Sequence, residues 1–128
     1  LALGDFDNDG GLDVLISVND GAPLLLRNEV GAKNNWLGLR LVGTKCNRDA
    51  VGARVTWQAG DLKQSRRKVS GGSYLSSHDP RLVLGLGQRA KIDWLEIQWP
   101  GPSTLVQRFT DLPLNRYVTI VEGRATWE

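Results

Sequence analysis

The sequence predicts an all-β chain: an antiparallel β-sandwich of about seven strands, preceded by a β-hairpin that carries an aspartate-rich loop. Three observations lead there. Apolar stretches are short and end at Gly, Pro, Asn or Asp, so turn signals punctuate the chain at strand spacing. No segment sustains an apolar period of roughly 3.6 residues, so no long helix is expected. GDFDNDGGLDVLI, residues 4–16, crowds Asp5, Asp7, Asp9 and Asp13 around Gly10 and Gly11.

The elements follow in order. LDVLISV (12–18) and PLLLRN (23–28) flank the turn-like NDGA and predict a hairpin behind the acidic loop. GAKNN (31–35) reads as a joint, dividing residues 1–30 from a sandwich domain over 31–128. WLGLRLVG, GARVTWQA, LKQSRRKV, RLVLGLG, IDWLEIQW, TLVQRF and RYVTIV then supply the sandwich strands. Gly60-Asp61 gives the second and third a connection of the length tight antiparallel hairpins prefer. Side chains alternate across a strand, so Leu37, Leu39 and Leu41 share one face, as do Val55 and Trp57, and Leu95, Ile97 and Trp99. The same alternation leaves Trp36 with Arg40, and Trp94 with Glu96 and Gln98, on the more polar faces.

Composition narrows the function. With 16 Lys and Arg against 14 Asp and Glu, the net charge is +2, which argues against a nucleic-acid partner. The cationic cluster KQSRRK, with Lys63, Arg66, Arg67 and Lys68, suits a solvated edge strand or, alternatively, an anionic partner. The single Cys46 leaves no internal disulfide, and no apolar run has the length of a membrane span. The opening LALGDFD, without an initiator Met, reads as a piece of something longer.

The acidic loop is the strongest chemical signal. D-x-D-x-D-G-x-x-D lets Asp5, Asp7 and Asp9 turn carboxylates into one concavity, with the Gly11 carbonyl and Asp13 closing it. A hard cation such as Ca²⁺, which takes about six to eight oxygen ligands, neutralises the crowding. Gly10 permits the sharp positive-φ turn. The pattern is shared with the start of an EF-hand, but Ile16 stands where that motif requires Glu, and strand-like sequence flanks the loop. A calcium loop within a β-hairpin is therefore expected, against the alternative of a turn merely rich in Asp.

LGDFDNDGGLDVLI…LLLRNE resembles the closing part of an FG-GAP repeat, the blade unit of integrin-like β-propellers. NNWLGLRLVGTKCNRDAVGARVTW, SGGSYLSSHDPRLVLGLG and IDWLEIQWPGP resemble the ASPIC/UnbV domain of cartilage-acidic-protein-like proteins. The resemblance implies a propeller-blade remnant over 1–30, calcium at Asp5, Asp7, Asp9 and Asp13, and remaining propeller blades as partners. It also implies an extracellular, periplasmic or cell-envelope location and a binding module without a known reaction.

Other residues compete for a role. Asn47 and Asp49 in NRDAVGARV suit a second cation or a sugar hydroxyl, or simply cap a turn. Ser76, Ser77, His78 and Asp79 lie side by side, yet catalytic triads converge from separate parts of a fold, so no enzyme is expected. Trp36 and Trp94, with Arg40, Glu96 or Gln98 nearby, are the candidate carbohydrate site. The primary expectation is a non-enzymatic calcium-binding module for adhesion or recognition, bound to a glycan or an extracellular protein; the alternative is a carbohydrate-binding module of a larger secreted protein.

Overall fold

The computed structural model describes residues 1–30 and 33–128. Gly31 and Ala32, where the expected domain joint falls, lie outside the described residues. Among the described residues the chain forms β1 (Ala2–Gly4), β2 (Asp13–Ile16), β3 (Leu24–Leu26), β4 (Asn35–Val42), β5 (Arg54–Ala59) and β6 (Leu62–Arg67). There follow β7 (Gly72–Ser73), β8 (Ser76–Ser77), β9 (Leu82–Gly87), β10 (Trp94–Gln98), β11 (Val106–Phe109) and β12 (Tyr117–Val121).

Two sheets make the sandwich, one ordered β11-β10-β5-β6 and the other β12-β4-β9. These are the strands read from the sequence after the joint. Leu37, Leu39, Val55, Trp57, Leu84, Leu86, Leu95, Ile97 and Ile120 are each fully buried between them, as strand alternation requires of two inner faces. One pair departs from antiparallel order, because β12 runs parallel to β4, with Tyr117 opposite Gly38. That pairing brings the last strand beside the first of the sandwich. β6 lies at a sheet edge, where a run of cations disfavours edge-to-edge pairing.

The acidic loop and its hairpin form a separate antiparallel sheet, β1-β2-β3, with Ala2 opposite Leu15 and Val14 opposite Leu26. β1 and the small β7-β8 ladder carry too few residues to register as strands in sequence. The first sheet meets the rest beside β8 and just past it, where the Asp79 N–H donates to the Leu3 carbonyl at 2.8 Å.

Candidate metal centre and its support

The loop between β1 and β2 coils tightly, with Asn8 at φ 61° and Gly10 at φ 87°. Only glycine fits at position 10 for a second reason: a Cβ there would fall 2.3 Å from the Trp36 ring. The coil turns the carboxylates inward. Asp5 and Asp13 are 1% and 3% exposed, and with Asp7 they each offer an oxygen lying within 4.8 Å of the others. Two oxygens on one calcium, each at about 2.3–2.6 Å, are at most about 5 Å apart. The spacing of the three aspartates therefore fits a common hard cation, and an all-oxygen donor set suits calcium over zinc or copper.

Asp9 does not join that group of three. Its Oδ1 accepts the Gly11 N–H at 2.7 Å, which closes the turn. Gly11 is packed so closely that a Cβ would sit 2.7 Å from the Asn28 carbonyl oxygen. The structure thus brings together Asp5, Asp7 and Asp13 and gives Asp9 a local bond instead.

Backbone donors hold the carboxylates in place. Asp5 accepts the N–H groups of Asp9 at 3.1 Å and Gly10 at 3.0 Å. Asp13 accepts those of Phe6 at 2.9 Å and Asn28 at 2.8 Å. Arg27 forms an ion pair with Asp7 at the solvent side. These backbone bonds fix the Asp5 and Asp13 carboxylates, while Asp7 is held by a side chain alone.

The sandwich supplies a further layer that the sequence did not disclose. The Tyr117 hydroxyl donates to Asp5 Oδ2 at 2.6 Å, across 112 positions. Burial first, and then this bond to Asp5, push the tyrosine pKa well above its usual value. Arg81 donates to the Asp5 carbonyl at 2.9 Å and to Asn8 Oδ1 at 2.6 Å, and its guanidinium lies 4.0 Å from the Tyr117 ring centroid. Asp79 fixes that guanidinium, accepting from Nε at 3.1 and 2.9 Å and from Nη2 at 2.6 Å. Burial works against the Asp79 charge, but Arg81 outweighs it and holds the carboxyl below its usual range. No local signal marks Tyr117 or Arg81, because their roles depend on contacts made only once the sandwich has formed.

Trp36 requires a correction. Alternation put it outward, and it does lie on the outer side of β4, but the acidic loop covers it and leaves it 6% exposed. It packs edge-on to Tyr117, with centroids 5.2 Å apart at 65°. Alternation assigns a face and not what lies over it, so Trp36 is not available for stacking on a sugar. Trp94 does stand on the outer face of its sheet beside half-buried Glu96, but Arg108 and Lys63 lie 4.3 and 5.5 Å from its ring centroid. Trp36 and Trp94 belong to different sheets, and the structure does not bring them together as one site. Arg40 is exposed on the outer side of β4.

Asn47 and the Ser76–Asp79 run resolve into local structure, while Asp49 lines a cavity. Asn47 accepts the Val51 N–H at 2.8 Å and donates to the Val51 carbonyl at 2.9 Å, a self-closed loop. Ser76 donates to the Leu1 carbonyl, His78 Nδ1 accepts the Leu3 N–H at 3.2 Å, and Asp79 is committed to Arg81. Ser77 donates at 3.4 Å to the His78 carbonyl, not to its ring. Neither serine is activated by His78, and His78 is not oriented by Asp79.

Lys68 also departs from expectation. Grouped with the solvated cations of KQSRRK, it is 4% exposed and donates to the Pro80 carbonyl. Glu122 is a second buried charge that sequence reasoning missed. One of its oxygens accepts the N–H groups of Thr44 at 2.7 Å, Lys45 at 2.8 Å and Cys46 at 3.1 Å. Burial opposes its charge, but the Ser103 hydroxyl and these amides hold its pKa far below the usual range. Burial and the nearby Glu122 push the Cys46 thiol up to about 11, which keeps it protonated.

Comparison with known proteins places these residues in a wider setting. The family model described as ASPIC and UnbV matches residues 43–126. Cartilage acidic protein 1 of Xenopus tropicalis is 32% identical over 123 residues, covering 93% of this chain and 19% of that protein. The protein of the same name in Mus musculus is 31% identical over 121 residues, and that in Homo sapiens 30% over 124, each match covering 18% of the relative. The chain therefore spans about a fifth of the length of these curated relatives.

Proposed function

The chain belongs to the ASPIC and UnbV family, and from that premise we propose that it is a non-enzymatic calcium-binding module of an extracellular or cell-envelope adhesion or recognition protein. The carrying observation is the convergence of Asp5, Asp7 and Asp13, two of them buried, on one point of a loop braced from the sandwich. Buried carboxylates without a compensating charge are costly, so a divalent cation stabilises the loop by neutralising them. When bound, calcium supplies electrostatic cross-linking and no reaction. Buried Asp5 and Asp13, together with exposed Asp7, would hold it.

The proposed wider context is the end of a propeller blade. The first sheet leaves Leu15, Leu24, Leu25 and Leu26 between 41% and 54% exposed, apolar surface that supports further blades as its covering partner. Relatives much longer than this chain are consistent with such blades.

Calcium titration with calorimetric readout tests the function. The wild type is expected to bind and to melt at a higher temperature with calcium than with EDTA. Asp13→Asn is expected to weaken binding at least about tenfold, the loss of one buried charge-assisted ligand. Equal melting temperatures with calcium and with chelator would overturn the proposal.

A further inference from the structure

Lys68 opens a second line of reasoning, separate from the acidic loop. A cavity of about 270 Å³ is lined by β4, the loop after it, the residue following β6 and the approach to β9. Its charged lining comprises Arg40, Arg48, Lys68 and Arg81 against Asp49 and Asp79. The excess of cations is larger than it looks. Asp79 is already taken by Arg81, and among the described residues no carboxylate lies within ion-pair distance of Lys68, Arg40 or Arg48.

Lys68 is the part that solvent does not explain. An ammonium carries three N–H donors, and at 4% exposure Lys68 has the Pro80 carbonyl as its acceptor among the described residues. Asp49 and Asp79 act on it only at longer range, and burial lowers its pKa. A buried cation that lacks a paired anion is normally selected against, because desolvation outweighs what a single carbonyl returns. Arg40 and Arg48, both exposed, stand at the mouth with guanidinium forks suited to carboxylate or sulfate.

We propose that this cavity binds the carboxylate of an acidic sugar, a uronate. Lys68 Nζ receives the oxyanion at the base, Arg40 and Arg48 hold it from the rim, and Asp49 accepts from sugar hydroxyls. The volume sits near the lower end of small-molecule pockets, about 300 Å³, which exceeds what a bare ion fills and suits one sugar ring. Nucleic acid fits poorly, since the lining holds no aromatic ring on which a base could stack.

The test is calorimetric titration of the chain, at constant ionic strength, with sodium glucuronate, sodium sulfate and glucose in separate arms. Glucuronate is expected to saturate with a dissociation constant of about 1 mM, sulfate to bind more weakly and glucose not at all. Lys68→Met is expected to remain folded, since an apolar isostere removes an uncompensated buried charge, and to weaken glucuronate binding at least about tenfold. Arg48→Gln, exposed and outside the core, is expected to weaken it less, and both variants keep wild-type calcium affinity because the loop aspartates and Arg81 are untouched. No saturable binding of glucuronate, equal affinity for glucuronate and glucose, equal affinity for glucuronate and sulfate, or unchanged affinity in Lys68→Met would each overturn the proposal.

Discussion

Replacing Glu122 by Gln keeps the shape of the side chain and removes its charge, which isolates the electrostatic part of one buried contact. Three backbone amides, from Thr44, Lys45 and Cys46, converge on one Glu122 oxygen. A hydrogen bond to a charged acceptor contributes about 1.5–3 kcal/mol, and to a neutral one about 0.5–1.5. The neutral amide therefore loses about 1 kcal/mol per bond, or about 3 kcal/mol in all, if all three amides still reach it. For a chain of 128 residues that corresponds to a melting temperature lower by about 10 °C. Urea unfolding at pH 7 measures the difference directly.

The pH dependence sharpens the test. The folded-state pKa of Glu122 lies below its ordinary 4.5, so the unfolded chain takes up the proton first as pH falls. The stabilisation is complete above that ordinary value and is lost as pH descends toward the folded one. The gap between wild type and Glu122→Gln is thus expected to narrow steadily below about pH 4.5. A gap under about 0.5 kcal/mol at pH 7, or one that does not change with acid, would refute the assigned role of the carboxylate.

Three further outcomes concern the loop. Gly10→Ala places a Cβ 2.3 Å from the Trp36 ring at a positive φ; it is expected to cost about 2–3 kcal/mol and to red-shift tryptophan emission as Trp36 is uncovered. Tyr117→Phe deletes the 2.6 Å bond to Asp5 and should lower stability by about 1–2 kcal/mol, with faster amide exchange at Asp9 and Gly10. Arg27→Gln removes a cation from Asp7; calcium affinity should rise several-fold in low salt, and the gain should shrink as salt is added, which titration at two ionic strengths would show.

Local rules served where the answer is local. The seven sandwich strands were legible because Leu37, Leu39, Leu41 and their counterparts alternate over segments bounded by turns. The acidic loop was legible because its four aspartates lie within nine positions. The positive φ of Gly10 bore out the turn expected there. Besides the Tyr117, Arg81 and Glu122 contacts and the short β1, β7 and β8, three more features were not legible, each for a tertiary reason. The parallel β12–β4 pairing joins residues some eighty positions apart. Trp36 was placed on the right face, but nothing in its own strand announces that a loop covers that face. Lys68 sits last in a cationic run whose other members are solvent-facing, and only the fold reveals that the chain turns inward at that residue.

The covering of Trp36 by the acidic loop has a practical corollary for anyone dividing a longer relative. A cut near residue 30 would follow the apparent seam in the sequence, yet Tyr117, Arg81 and Trp36 on one side grip Asp5, Asn8 and Gly10 on the other. The severed sandwich would carry a bare indole on its flank, beside an Arg81 held only by Asp79, and would tend to stick to itself. A force transmitted through the hairpin would likewise reach the last strand by way of that grip, with no slack to take up.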